Sequence, residues 1–153
     1  MPSAAHDTSD ATIDLPSNLS AVARLNDWYA EQTEGAALDA RVLGDMKLCL
    51  NEAVANVVSY AFEGIAAPRL RVTIRMAAEA VTAEIRDNGP LFDPLDRPEA
   101  AAMQDLETAQ IGGFGIKLIR ETASTLAYTR EGQENVLQIT CRPADRGSAT
   151  PAP

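Results

Sequence analysis

The sequence predicts an α+β fold of two layers, a mostly antiparallel sheet covered by helices on one face. Three observations lead there. RLRVTIRMA and AVTAEIRD alternate polar with apolar residues across a brief turn, the pattern of a hairpin, and TLAYTREGQENVLQITCR reads as a second one. Segments before and between the hairpins carry apolar residues at helical spacing. The resulting order is strand, two helices, hairpin, loop, helix, hairpin, which lacks the strict strand–helix alternation of a parallel sheet.

In chain order, ATIDLP is a short strand ended by Pro16, which has no N–H to donate. From Leu19 a helix carries Leu19, Val22, Leu25, Trp28 and Tyr29 and stops near Gly35. A longer helix runs from about Asp39 to Phe62, closed by Gly64 and Pro68. After the first hairpin the period breaks: NGP, FDP, RPE and GGFG fill Asn88 to Gly115, with at most a short helix around Ala100 to Ala109. A connection this long in a compact domain is a lid, a binding loop or disorder. GIKLIRETA is a helix, and the last hairpin turns around Glu131 to Glu134. Residues 1–10 and 144–153 are expected to be disordered tails around a single domain over 11–143.

The bulk properties exclude several functions. The chain of 153 residues carries a net charge of −9 with no basic stripe, which argues against direct nucleic-acid binding. No apolar run approaches the roughly 20 residues of a membrane span, and MPSAAHDTSD lacks the pattern of a signal peptide. The two cysteines, Cys49 and Cys141, have no metal-ligand spacing, so a reducing, cytoplasmic setting is expected. The single histidine, His6, falls in the N-terminal tail, which disfavours histidine-based zinc sites, Ser-His-Asp triads and phosphohistidine relays.

Three motifs carry candidate chemistry. In NEAVANVVSY, Glu52 and Asn56 stand one turn apart on a helix face. A carboxylate there can take a proton from an attacking hydroxyl, and an amide oxygen can give Mg²⁺ its one protein ligand. Alone, the pair reads better as a polar stripe on a solvated helix. In IRDNGPLFDP, Asp87 ends a strand before a turn at Gly89, which would hold a carboxylate at the sheet rim to accept from an exocyclic amine. Alone, Asp-Asn-Gly-Pro is turn chemistry. In IGGFGIKLIR, Gly112, Gly113 and Gly115 immediately precede a helix and would offer backbone N–H groups to phosphate. Rossmann and Walker patterns both fail here: Leu118 stands where the third glycine would, and no Ser or Thr follows Lys117.

Together, Glu52-x-x-x-Asn56, Asp87-x-Gly89-x-x-Phe92-Asp93-Pro94 and Gly113-x-Gly115 resemble the N, G1 and G2 boxes of the GHKL ATPase superfamily. Within it the chain looks like the small anti-sigma-factor serine/threonine kinases, the RsbW-like group, over roughly Ile13 to Arg142. The FDPL segment, the GGFG turn and the closing ENVLQI strand carry that narrower likeness. The resemblance implies the Bergerat fold, with ATP and Mg²⁺ held between helices and lid. It implies Glu52 as general base, Asn56 as Mg²⁺ ligand, and Asp87 as acceptor for the adenine amine with Gly89 allowing the base close. Gly112, Gly113 and Gly115 would lie against the phosphates, and Thr140 would support the adenine site. Asn51 is expected to face solvent. The implied partners are a sigma factor and a STAS-domain antagonist whose serine or threonine accepts the phosphate; a homodimer is left open. Tyr60 stands where relatives often carry a histidine, and Ile111 where an arginine would meet the γ-phosphate, leaving Lys117 or Arg97 as substitutes. The competing reading is a non-catalytic module that captures partners through a degenerate nucleotide site; a third is an ATPase subunit of a larger assembly.

Overall fold

The computed structural model describes residues 10–93 and 112–144. The short helix expected around Ala100 to Ala109 lies outside them, as do His6, Arg97, Ile111 and nearly all of the two expected tails. Strand β1 (Asp10–Leu15) pairs with β2 (Leu70–Met76), β2 with β3 (Val81–Asp87), β3 with β5 (Glu134–Cys141) and β5 with β4 (Thr125–Glu131), every pair antiparallel. The strand order is therefore β1-β2-β3-β5-β4. Helices α1 (Ser20–Thr33), α2 (Ala40–Tyr60) and α3 (Gly112–Thr122) form the second layer. The expected α+β sandwich of two layers is the fold observed.

Local chemistry sets the element ends. Asn18 accepts from the Ser20 amide (3.0 Å) at the start of α1, and Asp39 accepts from Arg41 (2.7 Å) at the start of α2. Gly35 and Gly132 hold φ of +72° and +60°, which stops the chain after α1 and turns the β4–β5 hairpin in two residues. Helix α3 begins at Gly112, so the glycines expected to precede it form its first turn instead.

The period-two alternation sends Leu70, Val72, Ile74, Val81, Ala83, Ile85, Ile139 and Cys141 into the core between the layers. The other face is polar and largely self-paired. Thr12 bonds Thr73 across β1–β2 (3.0 Å), and Arg71 and Arg75 meet Asp14 and Asp10 at 2.7 and 2.6 Å. Exposed pairs of this kind add little stability.

Helix α2 is central. Val42, Met46, Cys49, Leu50, Ala53 and Val54 are buried at helical spacing, and α2 packs on β3, β5 and both other helices. Each fully buried Leu or Val contributes about 1.5–3 kcal/mol relative to exposure. Tyr29 of α1 donates to the Leu43 carbonyl at 2.7 Å, tying the two helices together. Cys49 and Cys141 are free and buried where helix meets sheet; the hydrogen bond to Cys141, then burial, push the Cys49 thiol up.

Asn51 does not face solvent as expected. It is half-buried and forms a reciprocal amide pair with Asn26 of α1, at 2.9 and 2.8 Å, while also donating to the Lys47 carbonyl at 2.7 Å. An amide wedged between two helices must be matched by a second amide, because an unpaired one loses its water without replacement. Asn26→Ala and Asn51→Ala should each cost about 1–2 kcal/mol in urea denaturation. The double variant should cost less than their sum by on the order of 1 kcal/mol, and strict additivity would refute the coupling.

Candidate nucleotide-binding site

Successive helical residues point about 100° apart, so one apolar stripe on α2 leaves its neighbours on opposite flanks. Asn51 turns to α1 and Glu52 turns to α3. A Cβ added at Gly115 would stand 3.0 Å from Glu52 Oε2 and 3.7 Å from Glu52 Cβ. The bare backbone of the first turn of α3 thus lies directly against the Glu52 carboxylate. Asn56, one turn on, is half-exposed and its amide makes no hydrogen bond among the described residues. The first turn of α3 has N–H groups without partners inside the helix, at the dipole-positive end. Lys117, offered as a substitute cation, instead lies 3.8 Å from Glu121.

The second part of the site is the end of β3. Asp87 is buried, and its Oδ1 accepts from the Gly89 amide (2.9 Å) and from Asn135 Nδ2 (3.0 Å). No hydrogen bond among the described residues falls on Oδ2. The Asp87 carboxyl lies above its ordinary value: burial pushes it up, the Asn135 and Gly89 hydrogen bonds and the charge of Arg130 offset only part of that, and Glu134 adds to the rise.

Gly89 does not have the left-handed φ that would call for glycine in a turn. Space requires it instead: an added Cβ would stand 2.7 Å from the Ala61 carbonyl and 2.8 Å from the Ala61 Cβ. The turn after β3 is therefore seated against the end of α2, which joins Asp87 to the helix that carries Glu52 and Asn56. Asn88 pins the other side, accepting from Arg69 N (2.7 Å) and donating to the Ala67 carbonyl (2.8 Å).

Asn135 was not among the residues singled out from sequence. Its side chain is buried, opposite Asp87 in the β3–β5 register. Nδ2 donates to Asp87 and to the Pro90 carbonyl (2.9 Å); Oδ1 accepts from the Phe92 amide (3.2 Å), Arg130 Nη1 (3.1 Å) and the Tyr128 hydroxyl. Arg130 also donates to the Gly89 carbonyl at 2.8 Å. A signal was present in the sequence: Asn135, Leu137, Ile139 and Cys141 share one strand phase, and an amide heading an inward apolar phase needs buried partners.

The structure does not bring Thr140 to this group. Alternation along β5 puts Thr140 on the face away from the helices, where its hydroxyl lies 3.2 Å from that of Thr82. Glu52 meets Gly115 between α2 and α3, Asn56 stands one turn further along α2, and Gly89, which donates to Asp87, lies against Ala61 at the end of that helix. Gly112 and Gly113 contribute backbone to the start of α3.

These contacts separate two glycines by purpose. Gly89→Ala meets a backbone carbonyl that cannot give way, so it should cost about 1–3 kcal/mol in thermal unfolding. Gly115→Ala meets only the flexible end of Glu52 and gains about 1 kcal/mol of helix propensity, so stability should hold while the carboxylate is displaced. Equal melting shifts for both variants would contradict this division.

The histidine kinase-like ATPase domain family matches residues 15–141, from the last residue of β1 to the last of β5. The chain is 33% identical over 105 residues to the serine/threonine-protein kinase BtrW of Bordetella bronchiseptica, covering 69% of this chain and 74% of BtrW. It is 28% identical over 88 residues to the serine-protein kinase RsbW of Listeria innocua, covering 55% of this chain and 56% of RsbW. Among solved structures it is similar to the histidine kinase AdeS of Acinetobacter baumannii, with a TM-score of 0.46 and 15% identity over 86% of this chain and 67% of that one. No described helix is long and apolar enough to cross a membrane. With the family match over residues 15–141, its motifs and its likeness to BtrW and RsbW, the chain belongs to the histidine kinase-like ATPase domain family, as an RsbW-like member of the GHKL group.

Proposed function

We propose that this chain is an ATP-dependent protein serine/threonine kinase that also serves as an anti-sigma factor. It transfers the γ-phosphate of ATP to a serine or threonine of a STAS-domain antagonist and sequesters a sigma factor. The observation that carries the reading is the seating of the Glu52 carboxylate against the first turn of α3, with the Asn56 amide one turn away and without a partner among the described residues. A general base, a metal ligand and a phosphate-facing helix start then share one cleft. The names of BtrW and RsbW as kinases agree with it.

The donor set fits the cofactor. Among the described residues no cluster of three metal-ligating side chains occurs, so a cation held by Asn56 would take its other ligands from phosphate and water, as Mg²⁺ commonly does. Among the described residues no donor meets Asp87 Oδ2, and the first turn of α3 has N–H groups that the helix itself does not engage. When bound, Mg-ATP supplies the phosphoryl group and neutralises the charge that spreads over its oxygens.

The protein's own part is positioning and proton management. Glu52 accepts the proton of the acceptor hydroxyl, held in place by its packing on Gly115. Asn56 fixes the metal end of the triphosphate. The α3 amides stabilise the charge on the phosphates, and Asp87 anchors the far end of the nucleotide by its base. Dividing these tasks between two helices and a strand end sets the distance between base and phosphate before anything binds. Phosphorylation adds about −1.5 to −2 charges to the antagonist, enough to release it from an acidic kinase and alter which complex forms.

Two measurements test the proposal. Calorimetric titration with ATP should show binding that strengthens with Mg²⁺ and loses that increment in Asn56→Ala. In Glu52→Ala, transfer to a STAS-domain acceptor should fall by about 10²–10⁴-fold while nucleotide affinity is kept. A chain that binds no ATP, or whose Glu52→Ala variant behaves unchanged, is a capture module and not a kinase.

A further inference from the structure

We propose that Asn135, assisted by Arg130, is a positioning residue that sets the choice of purine: it keeps Asp87 an acceptor-only carboxylate, which takes a 6-amino base and rejects a 6-oxo base. The inference rests on the reading above, in which Asp87 meets the base. It adds what decides the state and aim of that carboxylate.

A buried carboxyl tends to hold its proton, and a protonated Asp87 could donate to a purine carbonyl as readily as accept from an amine. Base choice thus depends on what surrounds Asp87. From β5, Asn135 Nδ2 donates to Oδ1 at 3.0 Å, and from the turn the Gly89 amide donates to the same oxygen at 2.9 Å. Both bonds favour the charged form and fall on Oδ1, so Oδ2 makes no hydrogen bond among the described residues. Arg130, on β4, adds positive charge, Glu134 on β5 opposes it, and the end of α2 brings the uncharged Ala61. Tyr128, a further titratable neighbour among the described residues, donates to Asn135.

The orientation of the Asn135 amide is fixed by its partners. A flipped amide would set Oδ1 against Asp87 and the Pro90 carbonyl, and turn Nδ2 toward three donors: the Phe92 amide, the Tyr128 hydroxyl and Arg130. Asn135 therefore offers Asp87 only a donor. Both of its amide protons are engaged, one on Asp87 and one on Pro90, so it acts on the base through Asp87. Arg130 locks the same turn by donating to the Gly89 carbonyl at 2.8 Å.

The sign follows from the ionised Asp87 having no proton to donate: it takes an amine and repels a carbonyl oxygen, whereas the protonated carboxyl takes either. The preference for ATP over ITP is held above the Asp87 pKa and lost as pH falls through it. Removing Asn135 or Arg130 takes away a group that lowers that pKa, so the loss begins at higher pH. The test is calorimetric titration of the full chain with Mg-ATP and Mg-ITP, whose six-position is a carbonyl, from pH 5 to 8. Asn135→Asp, Arg130→Gln and Asp87→Asn are compared with the unaltered chain.

For each unit by which the Asp87 pKa rises past the working pH, the ATP-over-ITP preference should fall roughly tenfold. Asn135→Asp should show the larger fall and Arg130→Gln a smaller one that pH 8 restores. Should Asn135→Asp fail to fold, Arg130→Gln decides. Equal weakening of both nucleotides with no change of pH profile, while Asp87→Asn loses the preference, overturns the inference and leaves the kinase reading standing. An Asp87→Asn variant that keeps its ATP preference overturns the placement of the base itself, and the inference with it.

Discussion

The seating of α2 on β3 and β5 is the contact on which the rest of this structure depends. Six buried residues spaced along one stripe fix both the depth of the helix and its rotation. Rotation is what matters for chemistry. With the stripe facing the sheet, Asn51 falls toward α1 and Glu52 toward α3, and neither could exchange places without exposing Leu50 or Val54. A helix that buried its apolar face less completely could turn by part of a residue, and the carboxylate would lose its place against α3.

Close approach then joins the helix to its neighbours, and glycine makes it possible in two different ways. At Gly115 the missing side chain gives room to a polar group, so α3 can start beside the carboxylate without displacing it. At Gly89 the missing side chain gives room to backbone, so the turn after β3 touches the last residues of α2. The first contact brings the Glu52 carboxylate to the backbone of α3, and the second transmits the position of α2 to Asp87. The buried polar atoms that result are matched one by one: among the described residues no buried side-chain nitrogen or oxygen lacks a partner. Asn135 is the centre of that matching, and a buried network satisfied throughout is stiff as well as tolerable.

Periodicity determined the fold by itself. The alternation of RLRVTIRMA and AVTAEIRD, the helical spacing from Leu19 and from Asp39, and the turn at Glu131 to Glu134 all became the elements they announce, because each expresses burial along one chain direction. The spacing of Glu52 with Asn56 and the glycines near residue 113 pointed to two segments that the fold sets side by side, Glu52 against Gly115. What a sequence cannot carry is contact between strands and helices far apart in the chain. Asn51 reads as a solvated amide until α1 supplies Asn26, twenty-five residues away. Gly89 reads as a turn glycine until Ala61 is found against it. Thr140 reads as near the site until the register puts it on the other face of the sheet, and Asn135 is one polar residue in a strand until Asp87 stands opposite. Local pattern fixed which residues turn inward. Only the packing of layers decided which inward residues meet, since that depends on registers and helix rotations set by the whole core at once.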